Sequence, residues 1–149
     1  MTDYLTHDLI LNLGEEIPED LTLNMLRFRT RDTTLVVARS PVGNDKTLDD
    51  AVEDQLRILR KKSKAMTITP MQIACLGAAE HPIEAREMAI EFMVGETAHF
   101  QLQAACLIPG QHRLLVLNYS KPGPLNSDDI KHWRAIKQKL RFNQGPRLP

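Results

Sequence analysis

The chain has 149 residues, 42% of them hydrophobic, and its 19 Lys and Arg balance 19 Asp and Glu. That length suits one domain with a real core, and zero net charge supplies no bulk field to gather nucleic acid or an anionic membrane surface. No apolar run reaches transmembrane length and "MTDYLTHDLI" lacks a basic, apolar leader, so the chain is expected to be cytoplasmic, with no direct membrane insertion.

In chain order, "DLILNL" reads as a first short strand, closed by "GEEIPED" with Gly14 and Pro18. "TLNMLRF" and "TLVVAR" then form a hairpin around "RTRDT", and the loop "SPVGNDK" leads to a helix. Thr47 caps that helix, Asp50 takes the capping-box position usually held by Glu or Gln, and the helix runs to about Lys62.

The next block is strand-like. "MQIACLGAA" and "AIEFMV" are candidate strands, although good helix formers in "EAREMAIEF" compete with the strand pattern. Gly95 and Glu96 turn the chain into "HFQLQAACLI", and Pro109 and Gly110 turn it again into "HRLLVLNYS", giving an antiparallel meander. After "KPGP", Asn126 or Ser127 caps a last helix with Asp128 and Asp129 near its positive end and Ile130, Trp133, Ile136 and Leu140 on one side. The tail "NQGPRLP" reads as loose.

Two polar patterns do not fit a plain core. On the first helix, Leu48, Ala51, Val52, Gln55, Leu56, Ile58 and Leu59 fill one arc, with Gln55 near its middle. An amide buried without a partner costs about 1–3 kcal/mol, so Gln55 bonds a neighbouring strand's backbone or faces a site open until a ligand arrives. In "HFQLQAACLI", Phe100, Leu102, Ala104 and Cys106 share one face, and Gln101 and Gln103 share the other with His99, Ala105 and Leu107. Either that second face is solvated or it forms a greasy groove dotted with neutral donors and acceptors.

Catalytic and metal readings find less support. Cys75 and Cys106 lie in apolar runs without CxxC, which marks them as reduced core residues, and Cys106 alternates with Phe100 and Leu102 instead of pairing with His99 or His112. His7, His81, His99, His112 and His132 show no metal spacing, and there is no GxSxG or glycine-rich phosphate loop. The expectation is a binding protein, not an enzyme, with no cofactor and no metal. The basic last helix is an amphipathic surface helix, and no nucleic-acid partner is expected.

The order of "LTLNMLRF", "TLVVARS", a capped helix with "EDQLRIL", the block "QLQAACLIPGQHRLLVLNYS" and a final helix with Trp133 resembles the DcrB-like family over nearly the whole chain. Within it, the pattern looks most like the Eag chaperones of bacterial type VI secretion. The resemblance implies a single α/β (α+β) domain over residues 1–149, a PsbP-like curved antiparallel sheet flanked by helices. It also implies a cytoplasmic homodimer that shields the N-terminal transmembrane helices of a PAAR-containing or Rhs-type effector before export. Carried onto this chain, the family's client-binding positions are Leu23, Met25, Val37 (or Val36, depending on register), Gln55, Leu59, and Gln101 or Gln103. The alternative is a DcrB-like structural or regulatory protein that binds a soluble partner.

Overall fold

The computed structural model describes residues 2–63 and 65–143, so most of the C-terminal tail expected to be loose lies outside the described residues. Two short strands, β1 (Asp3–Leu5) and β2 (Ile10–Asn12), form a separate hairpin where a single strand was expected. The Tyr4 hydroxyl shares a hydrogen bond of 2.6 Å with Thr22, and Arg113 donates to the Asp20 carbonyl at 2.9 Å, tying this segment to the body.

The main sheet has seven strands. β3 (Asn24–Phe28) and β4 (Thr33–Pro41) are the expected hairpin, and α1 (Leu48–Lys62) follows. β5 (Met66–Ile68) and β6 (Gln72–Leu76) come next, then the long strands β7 (Ile83–Val94), β8 (Thr97–Leu107) and β9 (Arg113–Pro122), and finally α2 (Ser127–Lys139). The spatial order is β3-β4-β9-β8-β7-β5, with β6 also on β7, and every pairing is antiparallel.

Local chemistry explains both helix starts. The Thr47 hydroxyl accepts from the Asp50 amide and the Asp50 carboxylate accepts from the Thr47 amide, so the shorter acid closes the capping box. Asn126 and Asp129 repeat the arrangement on α2, which decides for Asn126 over Ser127 as the cap. At the other end of α2, the Gly77 amide donates to the Lys137 carbonyl at 2.8 Å, and a Cβ on Gly77 would lie 3.2 Å from the Leu140 carbonyl oxygen. Glycine is needed there, with φ at +84°.

The contested "EAREMAIEF" segment is a strand. It pairs along its length with β8 and on its other edge with β5 and β6, and Ala85, Met88 and Ile90 are buried. Ladder hydrogen bonds and burial outweigh helix propensities of a few tenths of a kcal/mol per residue. "MQIACLGAA", expected to be one long strand, is regular only over β6, and Cys75 on it is exposed, not a core thiol; the core thiol is Cys106.

The two faces of the sheet carry separate cores. On one, α2 lays Trp133 over Leu35, Leu76, Ala85, Ala104, Cys106, Leu115, Leu117 and Tyr119. On the other, α1 lays Leu48, Ala51, Val52 and Leu56 over Met88, Ile90, Ala105, Leu114 and Val116. Each large aliphatic side chain so buried contributes about 1.5–3 kcal/mol. The chain is thus α+β, an antiparallel sheet flanked by helices, as expected.

Candidate functional site

Residues paired across antiparallel strands share a face, so the register assigns every candidate. One row runs Met25, Val36, Asn118, Gln103, Met88 from β3 to β7, and the next runs Arg27, Thr34, Ser120, Gln101, Ile90. Met88 and Ile90 belong to the core beneath α1, so both rows lie on the α1 face.

Three contacts fix how α1 lies on that face. Asp49, near its start, accepts from Arg86 of β7 at 2.7 Å; Gln55, in its middle, meets Gln103; Arg60 and Ser63, at its end, border Met66, Thr67 and Ile68 of the β5 strand. Arg86 pairs with Ala105, whereas β5 pairs with the part of β7 opposite His99–Gln101. The helix therefore runs along β8 in the opposite direction. Residues 49 and 58 are nine apart, about 180° around a helix at 100° per residue, so with Asp49 turned to β7 the exposed Ile58 lies on the opposite flank of α1.

The result is a trough. Its wall is the α1 flank with Ile58 and Gln55, and its floor is Gln101, Asn118, Val36 and Met25, with Ser120, Thr34 and the ion-paired Arg27 continuing the row of Gln101 to the edge. Met25 is 66% and Ile58 57% exposed, while Val36, Gln101, Asn118 and Gln55 are partly buried. Leu23, just before β3, is also exposed.

The amides in it are organised. Nε2 of the buried Gln103 donates to Oε1 of Gln55 at 3.1 Å, with the Met88 sulfur 4.0 Å from the same nitrogen. Nε2 of Gln101 donates to Oδ1 of Asn118 at 2.9 Å. Gln55 therefore bonds a strand side chain; it neither bonds a strand's backbone nor waits wholly unpartnered.

Of the expected positions, the fold brings together Met25, Gln55, Gln101 and Gln103. Val37 is corrected: it packs into the α2-side core, and Val36 takes its place on the trough face. Leu59 packs down against the α1-side core and not into the opening. Asn118 and Ile58 belong to the trough although neither was singled out. The alternation in "LLVLNYS" does place Asn118 in phase with Leu114 and Val116, a polar residue in an apolar row.

Of the titratable groups, Arg27 and His99 share the α1 face of the sheet, and the Arg27 guanidinium is paired with the Asp32 carboxylate. Burial pushes the Cys106 thiol up to about 11, and Cys106 and His99 occupy opposite faces of β8, His99 stacking on Phe92 at 5.4 Å. On the α2 side, the Tyr119 hydroxyl and His132 Nδ1 are 2.8 Å apart, and burial and Arg31 outweigh Asp129 in holding the His132 pKa below its usual value. Among the described residues, no cluster of three or more His, Cys, Asp or Glu is arranged to hold a metal ion, and no helix is long and apolar enough to cross a membrane.

Comparison with known proteins agrees with this architecture. No curated protein matches the sequence significantly. The structure is similar to PA94 from Pseudomonas aeruginosa, a protein of unknown function proposed to be a regulator, with a TM-score of 0.70 over 97% of this chain and 99% of that one at 16% identity. At that identity the likeness speaks for the fold. The DcrB family model matches residues 10–139, from β2 to the end of α2, and the chain belongs to the DcrB family.

Proposed function

We propose that this DcrB-family protein is a cytoplasmic chaperone that shields an N-terminal transmembrane helix of a type VI secretion effector, of the PAAR or Rhs kind, before export. The observation that carries the reading is the trough beside α1, apolar at Met25, Val36 and Ile58 yet floored with neutral amides at Gln101 and Asn118.

Its width suits one helix: the β3, β4 and β9 strands beside α1 span about 10 Å at 4.8 Å per strand spacing, comparable to the 10–12 Å diameter of a helix. Lengthwise, the five residues of β3 span about 17 Å, about three turns of a helix. The chemistry suits it as well. Membrane helices associate through close packing and hydrogen bonds from small polar and amide side chains, so a substitute neighbour needs apolar surface and neutral amides; charged groups would cost far more to desolvate. The protein acts by binding, not as an enzyme, and as a homodimer.

Co-expression with a PAAR effector bearing N-terminal transmembrane helices tests this. The effector should accumulate in soluble form only with the chaperone present, and equal abundance and solubility without it would overturn the reading.

A further inference from the structure

Nine of the thirteen large apolar side chains left exposed among the described residues lie between Leu5 and Leu26. In the β1–β2 hairpin and the loop after it, Leu5, Leu9, Ile10, Leu11, Ile17 and Leu21 are each 41–70% exposed, and Ile10 and Leu11 point to opposite sides of β2, so both faces of this two-stranded ribbon are apolar. A two-stranded ribbon is marginal in water by itself, and apolar side chains clustered this way mark a docking surface. The same stretch is acidic: residues 1–26 hold six carboxylates and no Lys or Arg. Asp3, Asp8, Glu15, Glu16 and Glu19 are exposed and form no ion pair among the described residues, while Asp20 is turned inward to Thr22 and Arg113.

The ribbon is anchored at the end of the sheet where α1 begins. Arg39 donates to the Thr22 carbonyl at 3.2 Å and Arg113 to the Asp20 carbonyl at 2.9 Å. Ala38, next to Arg39, stands in the row Ala38, Val116, Ala105, Arg86, and Arg86 holds Asp49 of the first turn of α1. That end of the trough is acidic, with Asp49 and Asp50 in the first turn of α1, and the far end is basic, with Arg60, Lys61 and Lys62 in the last.

We infer that the N-terminal ribbon docks the cationic, apolar flank of the client helix, where a membrane span meets the cytoplasm, and so fixes which way round the helix lies. Charge decides among the occupants. Cytoplasmic flanks of membrane spans carry an excess of Lys and Arg, with Trp and Tyr at the boundary, the complement of an apolar surface set with carboxylates. An anionic membrane surface is repelled by those carboxylates. A second copy joined ribbon to ribbon would set the same carboxylates against each other. The Lys and Arg flank therefore sits at the start of α1 and is repelled from its end. This rests on the shielding role proposed above and adds to it a second docking surface and a direction.

The test uses the full-length protein and fluorescent 20-residue leucine–alanine helices in submicellar nonionic detergent, flanked at one end by lysines, glutamines or glutamates, with a photo-crosslinker beside the flank. Zero net charge leaves the protein no bulk preference among them. At about twofold in affinity per exposed ion pair, three or four pairs should make the lysine helix bind about tenfold tighter than the glutamine helix at about 20 mM salt and less than about twofold tighter at about 0.5 M. Its crosslinks should fall in residues 1–26 and not in residues 57–62. In a variant combining Asp3→Asn, Asp8→Asn, Glu15→Gln, Glu16→Gln and Glu19→Gln, all at exposed positions, the advantage should vanish with binding of the glutamine helix kept. Equal binding of the three helices, or crosslinks in residues 57–62, would overturn the docking of the flank while leaving shielding intact; no binding of any would overturn the shielding role and this inference with it. A variant that keeps the tenfold advantage but sediments as a monomer where the wild type is a dimer would assign the ribbon to a second copy and overturn the inference.

Discussion

Gln103 is 1% exposed and spends one amide hydrogen on Gln55 Oε1, 3.1 Å away on a different element 48 residues earlier in the chain. That single bond makes Gln55 a structural partner as well as a wall of the trough. Had Gln55 stood alone in its apolar arc, leucine there would have been neutral or stabilising.

With the bond present, Gln55→Leu strands the Gln103 amide against the Met88 sulfur and should cost about 1–3 kcal/mol in chemical denaturation. Gln103→Leu removes the more deeply buried partner and should cost less. The double variant should recover most of the loss, because two apolar groups replace a satisfied pair, so the cycle returns a coupling of about 1 kcal/mol or more. Additive losses would show that the two amides do not depend on each other.

Val36 and Val37 give opposite outcomes for the same change. Val36 lies on the trough face and Val37 packs into the α2-side core, so Val36→Asp should change stability by less than about 1 kcal/mol while abolishing rescue of a hydrophobic client. Val37→Asp sets a carboxylate against the partly buried edge of an apolar core and should cost about 1–3 kcal/mol, more than Val36→Asp. Denaturation midpoints and client solubility, read on both variants, separate folding from binding.

His132 predicts a pH dependence. Its folded pKa lies below the ordinary value of 6.5, with burial as the main cause, so the folded state holds fewer protons than the unfolded state in that window. Its contribution is present above about 6.5 and is lost as the pH falls through the folded value, where the Tyr119 contact and the edge-on packing of Phe28 at 4.6 Å meet an imidazolium. Denaturation midpoints from pH 8 to 5 should fall for the wild type and fall less for His132→Gln.

Thr33 is fully buried, and its hydroxyl has no hydrogen-bond partner among the described residues. Thr33→Val keeps the shape and removes the stranded group. Stability should rise by about 1 kcal/mol, and a loss of similar size would reveal a partner for the hydroxyl.

The two thiols should react very differently. Cys75 is exposed, whereas Cys106 is buried with its pKa pushed up to about 11, so a thiol reagent at pH 8 should titrate one group in the native protein and two in denaturant. Two fast-reacting native thiols would contradict the core placement of Cys106.

Local periodicity and capping chemistry are legible in the residues alone. Asp50 three residues after Thr47 specifies a helix start, and strict alternation in "HFQLQAACLI" puts Gln101 and Gln103 on one side of one strand whatever their neighbours are. Whatever depends on strand pairing is not legible there. A register slip of one residue exchanges the faces of a strand, so only the match of Val36 to Asn118 and of Asn118 to Gln103 could choose Val36 over Val37 and bring Asn118 into the site. Burial between β8 and the two short strands likewise made a strand of "EAREM" against its helix propensity. The partner of Gln55 was beyond any local pattern, since contacts across 48 residues follow from how α1 lies along the sheet, and that is set by the fit of both surfaces.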